Sequence, residues 1–245
     1  MFRYLSRVHV VLLALLVVPA PARSQALAEL PAPEAVPVAL PASARCAARG
    51  APPGPRWRRV LRASTLPGDE AGAVLAPLQD SLMQAVETHP DDVDLRYLLA
   101  VVLGARAETA SGRDKIRIAG NLHAQLQVVL DLDPDHAGAE YLLGRLHAAV
   151  MRMSRMSRFV ATRLLGGGTL AGATWDEAQR LLEAAVAHDP CVPDYHFELA
   201  RLYAERGDTA RAREQLRQTM RLGARSPRDE MVHTRAVVLA ERLEG

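Results

Sequence analysis

From about Asp69 onward, apolar positions recur at spacings of three and four, with polar residues between them. That is the periodicity of helices burying one stripe. Three short stops interrupt it: "THPDD" at Thr88–Asp92, "LDPDH" at Leu132–His136 and "HDPCV" at His188–Val192. Proline ends the helix before it and is accepted at the start of the next. The aspartates in each stop are expected to cap the helix that follows. Before the stops run Leu78, Leu82 and Ala85; Leu122, Leu126 and Val129; and Ala178, Leu182 and Ala185. After them come Leu99-Ala100 with Leu103, Leu143-Gly144 with His147, and Leu199-Ala200 with Tyr203. A large apolar residue beside a small one lets two helices approach closely.

The pattern predicts an all-α chain of paired helices. Its last copy, "YHFELARLYAERGDTARAREQLRQTMRL", resembles the tetratricopeptide repeat at Leu199, Ala200, Tyr203, Gly207, Asp208, Ala212, Leu216 and Leu222. It departs from that pattern at Thr219, where alanine is usual, and at Ala224, where proline is usual. The stops lie 44 and 56 residues apart, against about 34 for the standard repeat. Insertions at Ala105–Asp114 and Met151–Ala173 account for the excess. The segment "GRLHAAVMRMSRMSRFVATRLLGGGTLAGATWDEAQRLLEAAVAHDP" is similar to the corresponding part of the regulator of microtubule dynamics family and its exported bacterial relatives. The resemblance covers roughly Asp91–Leu222 and implies an irregular tetratricopeptide-like superhelix (α-solenoid) with a concave partner-binding face. It does not carry a microtubule ligand over to an exported chain. A helix after Ser226, with Pro227, Asp229 and Glu230 in its first turn, is expected to cap the last repeat.

The N-terminus changes the setting. Arg3 and Arg7 precede the nine apolar residues Val10–Val18, and small residues with prolines follow. Residues 1–24 are expected to be a secretory signal, cleaved near Ala22–Ala26. The apolar run is far short of the roughly 20 residues that span a bilayer. Residues 25–56, rich in Ala and Pro, read as a disordered tether. The repeat domain is expected over 57–224 and the capping helix over 225–245. The implied compartment is periplasmic or secreted. Hydrophobic residues make up 49% and aromatics only 4%, which suits helix-on-helix packing. The net charge of +2 falls to about −1 once Arg3, Arg7 and Arg23 leave with the signal, so charge alone gives no nucleic-acid partner. Cys46 and Cys191, 145 positions apart, make no framework, and their pairing stays open.

Candidate chemistry concentrates in "MRMSRMSRFVATRLLGGG", Met151–Gly168. A helix from about His136 to Arg163 places Leu142, Leu146, Val150, Met153, Val160 and Leu164 on one side. Arg152, Arg155 and Arg158 fall on the other, with Arg145 near the margin. No acid occurs between Glu140 and Asp176. The methionines do not converge as copper ligands, because Met151 and Met153 lie about 160° apart on a helix. "LLGGGTL" lacks the lysine of a phosphate loop and follows a helix, so the glycines turn the chain. Thr174 to Glu177 reads as a capping box. The apolar side of the long helix is expected to be consumed by packing, which argues against a membrane-surface helix. The arginine side suits either solvent or the acidic groups of a partner.

These readings converge on a non-enzymatic interaction module or adaptor, with no catalytic residue, cofactor or metal. Arg145, Arg152, Arg155 and Arg158 are the candidate partner-binding stripe. Tyr97, Tyr141, Tyr195 and Tyr203 are candidates to line or support the groove. The partner is a protein or peptide with acidic groups. An alternative is an accessory subunit of an envelope enzyme or secretion complex that uses His188, Cys191 and His196 for a metal. A third is a structural piece of an envelope assembly.

Overall fold

The computed structural model describes residues 55–63, 66, 68–161 and 168–244. The expected signal and nearly all of the expected tether lie outside these residues. Every element among them is helical: α1 Pro55–Ala63, α2 Gly68–Thr88, α3 Val93–Thr109, α4 Gly112–Leu132 and α5 Ala137–Arg152. The short α6 Arg155–Phe159 and a 3₁₀ turn at Gly168–Leu170 follow. Then come α7 Trp175–His188, α8 Pro193–Glu205, α9 Thr209–Arg221 and α10 Pro227–Glu244. Helix α1 opens at Pro55, two residues inside the stretch expected as tether.

The stops work as the proline pattern predicts, but only one of their aspartates caps the helix that follows. Asp92 accepts from Leu95 N at 2.9 Å. In the second stop His136 Nδ1 accepts from Ala139 N at 3.1 Å instead. The third has no side-chain cap, and Pro193 fills the first helical position. Thr174 caps α7 through Glu177 N, and Asp208 caps α9 through Arg211 N. Ser226 caps α10 through Asp229 N, while the Asp229 carboxylate accepts from Arg225 N.

The core is a relay between neighbours rather than one central mass, as in a solenoid. Helices α1 to α5 share Leu82, Leu99, Val102, Leu126 and Val129. Tyr141, Ala178, Leu182, Leu199 and Ala212 join α5, α7, α8 and α9. Phe197, Leu216, Val232 and Ala236 carry the relay into α10. The small residues sit where helices approach most closely. Gly144, Ala100 and Ala200 pack beneath their partners, as the large–small pairs predict. Thr219 is fully buried where alanine is usual, and its hydroxyl donates to the Gln215 carbonyl at 3.0 Å. That intrahelical bond satisfies the extra polar atom.

One expectation is corrected, and one point left open in the sequence is decided. The long helix to Arg163 ends at Arg152. Met153 is extended (ψ 146°), and the Ser154 hydroxyl accepts from Ser157 N, so a new helix starts. A serine that satisfies backbone donors outside the preceding helix competes with continuing it. Cys191 is disulfide-bonded, and the sequence holds one other cysteine, Cys46, outside the described residues.

Candidate functional site

Helices α3, α5 and α8, with the first turn of α10, share one polar and aromatic face. Tyr97 of α3 lies near Tyr195 of α8, and Tyr195 stacks on Tyr141 of α5 at 4.5 Å. Tyr97 also packs against Trp57 of α1 and against His136. Gly138 makes this arrangement fit, because a Cβ there would stand 2.3 Å from the Tyr97 hydroxyl. Burial pushes the Tyr97 hydroxyl up to about 12 and raises those of Tyr141 and Tyr195 as well. All three stay neutral donors near neutral pH.

Ion pairs knit the same face together. Arg145 lies over the Tyr141 ring at 5.4 Å and pairs with Glu108 of α3 and Glu198 of α8. Arg152 Nε donates to both carboxylate oxygens of Glu205 at 2.8 and 2.9 Å. Arg201 bridges Glu198 and Glu205 along α8. Arg228 of α10 reaches across to Asp194. Two donors remain unmatched: Tyr141 Oη and Arg152 Nη2 are buried without a hydrogen-bond partner.

The four-arginine stripe therefore divides. Arg145 and Arg152 lie on the shared face but are already bound to acids. Arg155 is exposed on α6, with no ion pair among the described residues. Arg158 is half-buried and donates to Met151 Sδ at 3.2 Å. The break at Met153 removes the common helical phase that joined them in the sequence. Tyr203 also leaves the group. It donates to Glu183 at 2.6 Å and sits under Arg211, between α7, α8 and α9. The acidic partners Glu108, Asp194, Glu198 and Glu205, and Arg228, escaped the sequence reading. The run Glu198, Arg201, Glu205 on α8 was the available signal, since spacings of three and four share a helix face.

The three metal-ligand candidates are committed elsewhere. His188 Nδ1 bonds Glu140 at 2.8 Å, and Asp135 lies 3.6 Å from Nε2. Cys191 is in its disulfide. His196 bonds the Gln215 side chain and the Pro190 carbonyl. No group of three metal-binding side chains occurs among the described residues.

The model of the family described as regulator of microtubule dynamics protein 1-3 matches residues 79–244. The chain belongs to the regulator of microtubule dynamics family. The match begins within α2 and runs to the end of α10, so it takes in the whole shared face. No curated protein matches. Among solved structures, a thermophilic tetratricopeptide-repeat protein from Thermus thermophilus is similar, with a TM-score of 0.51 at 17% identity. That likeness covers 76% of this chain and 84% of the other. This member of the family therefore has the tetratricopeptide-like helical-repeat fold expected from the sequence.

A second polar feature of this family member lies between α4 and α5. His123 and His147 stack with ring centres 6.3 Å apart, and His147 Nδ1 is buried without a partner. Burial lowers both pKa values. Glu177 and Arg180 of α7 also face His147, with opposite effects. The unfolded chain protonates these rings near pH 6.5 while the fold resists. Stability from this pair is therefore full above about pH 6.5 and declines as pH falls below it. His188, raised by its hydrogen bond to Glu140, acts in the opposite sense but is more exposed and screened. The expected result is a melting temperature that drops from about pH 7.5 to 5.5, with a smaller drop for His147→Leu. Equal drops in both proteins would refute the assignment.

Proposed function

We propose that this chain is an exported, non-enzymatic adaptor that holds an extended protein segment along the face of α3, α5 and α8. The shared face carries the reading: on a tetratricopeptide-like superhelix, Glu108 and Arg201 stand on it with side chains 66% and 41% exposed, above the packed rings of Tyr141 and Tyr195. The acids already on Arg145 and Arg152 argue for a ligand read through exposed groups of both signs rather than through net negative charge.

Export is supported by the charged, apolar and small-residue order of residues 1–24. The disulfide at Cys191 also supports it, since such bonds persist in oxidising compartments.

The test is photocrosslinking in intact cells, from probes at Arg201 and Glu108 on this face and at Glu87 on α2 as control. One protein captured at fixed ratio from both face positions and not from Glu87 is the expected result. Capture that does not distinguish the three positions, or no specific capture, would sink the proposal. Cell fractionation with N-terminal sequencing tests export separately. A mature chain starting at Gln25 or Leu27 is expected.

A further inference from the structure

Helix α1 has little of its own to hold it. It is nine residues long, PRWRRVLRA, with four arginines and no acid. A helix this short is marginal in water by itself. Arg56 and Arg58 also stand in its first turn, where the end of the helix dipole is itself positive. What keeps it in place is docking on α2 and α3. Val60 and Ala63 are buried against that core, and the Trp57 ring lies 5.9 Å from the ring of Tyr97.

A covalent bond acts on the same helix. Cys191 is disulfide-bonded, and Cys46 is the one other cysteine of the sequence. Cys46 precedes Pro55 by nine positions, and Cys191 precedes Pro193, the first residue of α8, by two. The bond is therefore anchored on the stop before α8. Tyr195 in the first turn of α8 lies near Tyr97, the residue on which Trp57 packs. Without the bond, α1 is joined to the repeats at its C-terminal end alone, through residues 64–67. With it, the helix is pinned from both ends.

We propose that α1 is a redox-governed cap on the Tyr97 end of the shared face, docked while the Cys46–Cys191 disulfide is intact and released when it is reduced. A dithiol passes two electrons and two protons to the bond. It leaves as its own disulfide, and Cys46 and Cys191 become thiols. Undocking then moves Trp57 off Tyr97 and opens that ring to solvent. The loop closed between Cys46 and Gly68 has about twenty residues, so releasing one end gives the undocked chain on the order of tenfold to a hundredfold more conformations. The docked state gains nothing from the release, so the equilibrium shifts toward undocking by that factor. Oxidising compartments keep such a bond closed, and a dithiol reductant lifts the cap. The effect on ligand access rests on the adaptor reading, whereas the undocking itself does not.

The experiment is hydrogen exchange, read by mass spectrometry, on the full chain with and without dithiothreitol and on Cys46→Ser. Tryptophan emission follows α1 directly in a Trp175→Phe background, since Trp57 is then the sole tryptophan. Reduction and Cys46→Ser are each expected to speed exchange in α1 by roughly tenfold or more, to leave α9 unchanged and to shift Trp57 emission to the red. Exchange or emission at α1 indifferent to both treatments would overturn the proposal, since packing alone would then hold the helix. So would exchange that rises equally in α1 and α9, or a general loss of helicity by circular dichroism, because the bond would then be a staple for the whole stack. A response to dithiothreitol that Cys46→Ser does not reproduce would refute the assignment to this bond. All of these are read without a partner, so failure of the adaptor reading leaves them standing, and failure of the cap leaves that reading standing.

Discussion

Gly144→Val is expected to unfold the chain well below the native temperature, although the site is one residue in the middle of a regular helix. A Cβ at Gly144 would stand 2.9 Å from Leu182 Cγ, 3.2 Å from the Ala178 carbonyl oxygen and 3.2 Å from Leu181 Cβ. The last two are backbone and near-backbone atoms of α7, which cannot swing aside. Relief requires α5 and α7 to separate, and that separation would open the contact around Leu182, itself fully buried. Overpacking of this kind costs about 3 kcal/mol. For a chain of this size that corresponds to roughly 6–12 °C in melting temperature. Gly104→Ala is the matched control. It sits within α3, and its nearest neighbour is a Leu122 methyl 4.0 Å from an added Cβ. With room for the methyl, the change removes the entropic penalty of glycine and should stabilise by roughly 0.5–1 kcal/mol. A calorimetric scan that moves both variants in the same direction would show that helix propensity, not close approach, governs Gly144.

The contrast between the two glycines explains why so much of the architecture was legible. Helix pairs need a small residue where they cross, a large one beside it and a stop between hairpins. Leu143-Gly144, Ala178-Leu182 and the three prolines are written in the sequence at those places. Thr174, Asp208 and Ser226 announce their helices because capping is local chemistry. The break at Met153 was not legible. Methionine, serine and arginine all tolerate a helix, and nothing in the local pattern decides whether Ser154 caps a new turn or continues the old one. The fate of the arginines was illegible for a different reason. Arg145 finds Glu108 at a separation of 37 residues, and Arg152 finds Glu205 at 53. Such pairs exist only once the repeats have stacked, so a projection on one helix shows four equivalent charges. The donors Tyr141 Oη and Arg152 Nη2 could be recognised as unmatched only after every neighbour was in place.

Arg145→Glu is expected to be the most destabilising of three arginine substitutions, with a loss of about 3–5 kcal/mol. The side chain of Arg145 is 27% exposed, and that of its partner Glu198 only 5%. Reversal leaves Glu198 buried with Arg201 at 3.8 Å as its remaining cation. It also sets a second carboxylate among Glu198 and Glu108, over the face of Tyr141, where the guanidinium had been attracted to the ring. Arg145→Met keeps the packing of the stem and removes only the charge, so it should fall between the native chain and Arg145→Glu. Arg155→Glu, on an exposed turn, should stay within about 0.5 kcal/mol of native. Urea unfolding followed by circular dichroism resolves these differences as shifts in midpoint at constant slope. The order Arg145→Glu, Arg145→Met, Arg155→Glu, from least to most stable, separates an arginine that holds the repeats together from one that faces outward. If all three variants unfolded at the native midpoint, Arg145 would be solvated surface, and the ionic seam between α3, α5 and α8 would contribute nothing to the fold. A partner lost by Arg145→Glu would then reflect recognition. With the expected order, such a loss would reflect a loosened superhelix, and partner binding is better tested at Arg201, whose side chain is 41% exposed on the same face.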